Sequence, residues 1–210
     1  MIFEFCAENG TLVERAFQAG AQRVELCDNL AVGGTTPSMG VMKETLALAK
    51  DYEAAVMVMI RPRGGDFVYT KAELAMMLED IRWAKESGAQ GVVFGALTEE
   101  NKLDKSALTE LIAASAGMEI VFHMAFDCLS KDQQLVAMDW LEKQGVTRIL
   151  THGGAAGTDI LDNLDWLKTL MMYSDGRIEI LPGGGISTEN RERIAAALGV
   201  DQLHGTRIVW

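Results

Sequence analysis

The sequence predicts an α/β fold of the (β/α)8 TIM-type barrel class, lacking the last helix. Two observations lead there. Eight short apolar runs are separated by seven longer helical patterns. A phrase also recurs, AGAQRVEL, SGAQGVVF, QGVTRILT and LGVDQLHG, in which a glycine stop ends a helix and a strand follows at once. Strict alternation requires parallel strands with right-handed crossovers, and eight such units close most simply as a barrel. An open doubly wound sheet is the alternative.

In chain order, the expected strands are 2–7, 23–27, 55–61, 91–95, 119–125, 148–151, 178–181 and 202–205. They are short and rich in β-branched residues, as strands covered on both faces require. The third carries Val56, Val58 and Ile60 and stops near Pro62, which cannot donate to a central ladder. The expected helices are 12–19, 39–51, 71–87, 105–116, 131–144, 160–173 and 188–198. Ser38 suits the N-cap of the second. The eighth strand is followed by only five residues, ending at Trp210, so no eighth helix is expected. The flank left bare would suit a homo-oligomer contact, most simply a dimer. No linker interrupts the pattern, and one domain is expected over residues 1–210.

Composition narrows the function. A net charge of -11, with basic residues scattered, opposes attraction to nucleic acid or anionic membrane. The amino terminus, MIFEFCAENG, has no basic stretch and carries Glu4 within its apolar run, unlike a signal peptide or a membrane span. Cys6, Cys27 and Cys128 are odd in number and far apart, which favours free thiols in a reducing, cytoplasmic setting.

In such a barrel the reactive groups lie beyond the carboxyl ends of the strands. The first two strands end alike, Glu4-Phe5-Cys6 and Glu25-Leu26-Cys27, so each places a carboxylate and a cysteine on one face. Neighbouring parallel strands would bring the thiols together, a soft pair suited to Cu(I) or Zn(II). Free cysteines are also commonly buried as small hydrophobes, and that reading stays open. Buried carboxylates need partners, so Glu4 and Glu25 are expected to meet Arg61, Arg63 or a histidine. Arg61 and Arg63 follow the third strand in MIRPRGGDF and call for carboxylates or an anionic ligand, with Asp66 offering a purely structural lock. The fifth strand ends FHMAFD, which would align His123 with Asp127 if the strand persists. His204 would neighbour the first strand across the closure, and His152 is expected in a solvated loop. Gly183, Gly184 and Gly185 lie where these barrels bind phosphate, with His204 and Thr206 completing the rim. Gly33 and Gly34 suit a lid. Most of the twelve methionines, Met57 and Met59 among them, fit core positions better than copper ligation.

The motifs VELCDNLAVGGTTPSMG, MIRPRGGDFVY, GVVFGALTE, FHMAFD, RILTHGG and LPGGGI stand in an order that resembles the CutC family of copper homeostasis proteins, over nearly the whole chain. The resemblance implies a barrel fold, a cytosolic protein and a Cu(I) site at Cys6 and Cys27. It departs at Met124, where the family commonly has the arginine of HRAFD, and many members continue past Trp210. Two functions follow. One is copper handling through the two thiolates. The other is an enzyme of lyase, isomerase or hydrolase type acting on a small anionic or phosphorylated metabolite. There Arg61, Arg63 and the glycine run would hold the anion, and His123 with Glu25 or Asp127 would move protons.

Overall fold

The computed structural model describes residues 1–210. Eight strands, β1 (Ile2–Glu8), β2 (Arg23–Cys27), β3 (Ala55–Met59), β4 (Gly91–Phe94), β5 (Glu119–Phe122), β6 (Arg148–Thr151), β7 (Glu179–Pro182) and β8 (Gln202–Gly205), form one sheet in the order β7-β6-β5-β4-β3-β2-β1-β8. Every pairing is parallel. Seven helices alternate with them: α1 (Val13–Gln18), α2 (Met39–Asp51), α3 (Lys71–Ser87), α4 (Lys105–Ala114), α5 (Lys131–Lys143), α6 (Leu164–Ser174) and α7 (Arg191–Leu198). No helix follows β8. This is the expected barrel, and no helix is long and apolar enough to cross a membrane.

Local chemistry sets the boundaries. The Ser38 hydroxyl accepts from the Val41 N–H and starts α2. Thr70 with Glu73, and Ser130 with Gln133, form reciprocal capping boxes for α3 and α5. Gly88, at φ +87°, ends α3 in the left-handed region that favours glycine. Outward residues such as Val24, Leu26, Val58 and Phe122 pack beneath the helices, while Met57, Met59, Val93, Val121, Leu150 and Leu181 fill the barrel interior with Cys6 and Cys27.

Two strands stop earlier than their apolar runs suggest. After β3 the Ile60 N–H still reaches Val93 O at 2.8 Å, but the Arg61 N–H turns to Thr36 Oγ1 at 2.9 Å. After β5, His123 Nδ1 accepts the Ala125 N–H at 3.2 Å and starts a 3-10 turn over Met124–Cys128, which carries Asp127 off the strand. Residues 160–173 divide into a 3-10 turn at Ile160–Asn163 and α6. The helix expected from residue 188 begins only at Arg191, since the Ser187 N–H is taken by the Asn190 side chain at 2.9 Å.

The barrel closes between β7 and β8 without a backbone ladder. Gln202 Nε2 donates to Glu179 Oε2 at 3.0 Å across this seam, and Ser187 and Arg207 form a single parallel bridge beyond it. Gly205 permits the approach, for a Cβ there would fall 2.4 Å from Ile186 O. On the flank without a helix, the Trp210 ring lies 4.8 Å from that of Phe5, and the Arg15 guanidinium stacks on Trp210 at 4.7 Å.

Candidate functional site

Inward-facing polar side chains form two hydrogen-bonded groups inside the barrel. At the amino-terminal end, Arg148 joins Glu119 at 3.0 Å and Glu179 at 2.9 Å. Gln202 links Glu179 to Arg23, whose Nη2 donates to Gln202 Oε1 at 2.8 Å. Arg23 pairs with Glu4, and Glu4 Oε1 lies 2.8 Å from His204 Nδ1. The strand register explains the grouping, since Glu4 stands opposite Arg23 on one side and His204 on the other, while Cys6 stands opposite Glu25.

The second group gathers the thiols. Glu25 Oε1 is 3.5 Å from Cys6 Sγ and 3.4 Å from Cys27 Sγ. Donor atoms of Cys6, Glu25 and Cys27 lie within 4.8 Å of one another, and so do those of Glu4, Glu25 and His204. Burial alone would push the Glu4 carboxyl up, but the His204 hydrogen bond and the Arg23 charge hold it at about 2. His204 is also opposed by burial, yet Glu25, Cys6 and Glu4 raise it well above the ordinary histidine value. Hydrogen bonding from Cys27, with help from His204, overcomes burial and brings the Cys6 thiol down to about 5. Burial, reinforced by Cys6 and Glu4, pushes Glu25 up to about 8, and the shared hydrogen bond with Cys6 together with burial keeps Cys27 protonated. The directions favour the thiolate form of Cys6 and the charged form of His204, and oppose ionisation of Glu25 and Cys27. Glu25 Oε2 is buried and has no partner.

A cavity of about 410 Å³ opens above these groups at the carboxyl ends of the strands, and Cys6, Glu25, Arg61, His123, Gly184 and His204 contribute to its wall. Met124 adds an apolar patch to that wall. Cys27 lies deeper, fully buried under the segment from Asp28 to Thr35, whose ends pair as an antiparallel bridge. This is the glycine-bearing lid expected from the sequence. Arg61 holds it, since Nη1 donates to Val32 O at 2.9 Å and to Gly34 O at 3.1 Å.

Several candidate residues take other roles. Arg63 does not line the cavity. Its Nε donates to Glu73 at 2.5 Å and its Nη2 to Asp66 at 3.0 Å, the structural lock rather than an anion site. Asp127 is not aligned with His123, because the 3-10 turn sends its carboxylate to Thr151 Oγ1 at 2.5 Å and to the N–H groups of His152 at 2.9 Å and Gly153 at 3.2 Å. The Gly183 N–H is used by Thr151 O at 3.0 Å, leaving Gly184, Gly185 and Thr206 on the cavity wall. His152 is buried, not solvated, with Nδ1 3.2 Å from Gly183 O and Nε2 3.0 Å from Thr158 O. Glu4 meets a histidine, His204, as one of the expected partners, and also Arg23, while Glu25 meets the thiols and neither carboxylate pairs with Arg61 or Arg63. Arg23 and Arg148 were missed among the polar interior residues. Alternation would have found Arg23, which shares a strand face with Glu25 and Cys27. Gly95 was also missed. A Cβ there would lie 2.7 Å from His123 Nδ1, so this glycine makes room for the imidazole.

The geometry has parallels among known proteins. The model of the CutC family matches residues 1–209. A CutC family protein of Enterococcus faecalis is 58% identical over 209 residues, covering 100% of both chains. The human copper homeostasis protein CutC homolog is 40% identical over 203 residues, covering 97% of this chain and 72% of its own. Among solved structures, a CutC protein from Streptococcus agalactiae superimposes with a TM-score of 0.96 at 48% identity, covering 99% of each chain. An aldolase at 17% identity and a TM-score of 0.71, covering 97% of this chain and 89% of its own, shares the barrel fold.

Proposed function

Because the chain belongs to the CutC family, we propose that it is a cytoplasmic copper homeostasis protein that takes Cu(I) as cargo on the sulfurs of Cys6 and Cys27. The observation that carries this reading is the buried cluster in which Cys6, Glu25 and Cys27 place their donor atoms within 4.8 Å of one another. The donor set fits the ion. Soft thiolates select monovalent copper, and Cys6 is the sulfur whose pKa is lowered, to about 5, and the one on the cavity wall. His204 stabilises that thiolate as its charged neighbour, and Glu4 and Arg23 hold His204 in place. Glu25 keeps both sulfurs together and has an unpartnered oxygen beside them. The cavity supplies the approach to Cys6, while the lid keeps Cys27 from water and from oxidants.

Anaerobic titration of Cu(I) against a competing chelator tests the proposal. The native chain is expected to bind stoichiometrically, and the Cys6→Ala, Cys27→Ala double variant to lose binding. Equal binding by the two chains would remove the thiolate site.

A further inference from the structure

Above the sulfurs, the cavity is walled by residues that keep buried hydrogen-bond donors which the protein leaves unused. Arg61 is 4% exposed, and no carboxylate pairs with it. Of its five N–H donors, three serve the carbonyls of Val32 at 2.9 Å, Gly34 at 3.1 Å and Gly65 at 2.8 Å. Its Nε is buried without a partner. A fixed positive charge held by neutral carbonyls alone is costly unless an anion completes the site.

His123 shows the same pattern beside it. The ring is 4% exposed, and its Nδ1 accepts the backbone N–H of Ala125 at 3.2 Å. A backbone N–H can only donate, so the ring proton sits on Nε2, which is buried and unpartnered. Phe67 fixes the two groups together, with the Arg61 guanidinium 4.9 Å from its ring centre and the His123 ring 4.8 Å away. Gly184 and Gly185 line the wall at β7, four strands from β3 in the sheet. Neither backbone N–H donates within the protein. Gly184, at φ +87°, also has no room for a side chain, since a Cβ would lie 2.7 Å from His152 Nδ1. Glu25 is the carboxylate on this lining, at the floor beside the sulfurs.

We propose that this cavity binds the oxyanion group of a small metabolite, a phosphate ester or a carboxylate, through Arg61 and His123 with the Gly184 and Gly185 amides on the opposite wall. The groups that would hold the anion are other than the sulfurs, although Cys6 lines the same cavity, and the proposal does not rest on the copper reading. The volume of about 410 Å³ suits a compact metabolite.

Calorimetric titration of the metal-free native chain with inorganic phosphate and, separately, with malonate tests the site. Saturable binding of phosphate alone assigns the phosphate-ester class, of malonate alone the carboxylate class, and of both a general oxyanion site. His123→Phe keeps an aromatic ring beside Phe67 while removing the donor, and Arg61→Lys keeps charge while removing the planar fork. Each is expected to weaken binding by about tenfold or more. His123→Phe should leave Cu(I) binding intact. Absence of saturable binding of either anion up to about 20 mM would overturn the proposal. So would native affinity in His123→Phe, which leaves the lid carbonyls on Arg61 untouched.

Discussion

Glu4→Gln removes one negative charge from the barrel interior while preserving its shape. In the native fold this carboxyl lies between the Arg23 guanidinium and the His204 ring, fully enclosed. Its pKa falls from 4.5 to about 2. At about 1.4 kcal/mol per tenfold change in proton affinity, that difference corresponds to roughly 3 kcal/mol of stability at pH 7. The sign follows from the direction. A carboxyl group depressed by folding stabilises fully above its unfolded value of 4.5, and the contribution disappears as pH falls through about 2. Urea unfolding of native and Glu4→Gln chains, followed by circular dichroism and tryptophan fluorescence, should show a gap of about 3 kcal/mol at pH 7, shrinking to roughly half by pH 3. A gap below about 1 kcal/mol at pH 7, or one that does not narrow on acidification, would refute the assignment of Glu4 as the buried counter-ion.

Two further outcomes follow from the same interior. Ultraviolet thiolate absorbance should reveal one sulfur ionising with a midpoint near 5, absent in Cys6→Ala and moved upward in His204→Gln. A midpoint unaffected by His204→Gln would show that the imidazole does not hold the thiolate. Gly34→Ala should lower stability by about 1–3 kcal/mol in the same urea assay, because residue 34 sits at φ +87° with its added Cβ 3.1 Å from Cys27 Sγ. Unchanged stability there would mean that the lid is not pinned over Cys27.

The barrel was legible because its signals are local and repeated. Helix α2 and helix α3 carry side-chain caps at Ser38 and Thr70, and their expected limits match the structure. The pairing of Cys6 with Cys27 was also readable, since period-two alternation and adjacent strands suffice to bring them together. What alternation does not encode is where a strand lets go. Arg61 leaves β3 because its N–H finds Thr36, and Asp127 leaves the fifth strand because His123 caps a turn with its own ring. Both events depend on partners distant in sequence or on a particular rotamer, so the apolar run overstates the strand. Arg63 and Asp127 belonged to the expected anion and proton-transfer groups on sequence grounds, yet each is consumed by hydrogen bonds to structural partners, Glu73 in the first turn of α3 and Thr151 at the end of β6.

The seam between β7 and β8 is closed chiefly by side chains. Elsewhere neighbouring strands are held by backbone rungs that no side-chain substitution removes, but here the amino-terminal strap is the amide of Gln202 between Arg23 and Glu179. His204 stands two residues along the same strand, against Cys6 and Glu4. β8 itself is laddered to β1, so the seam reaches the imidazole through side chains, from Gln202 to Arg23, from Arg23 to Glu4 and from Glu4 to His204. The ionisation of a thiol at the barrel's heart is thus coupled to the mechanics of its closure, so a change at Gln202 is felt at the sulfur.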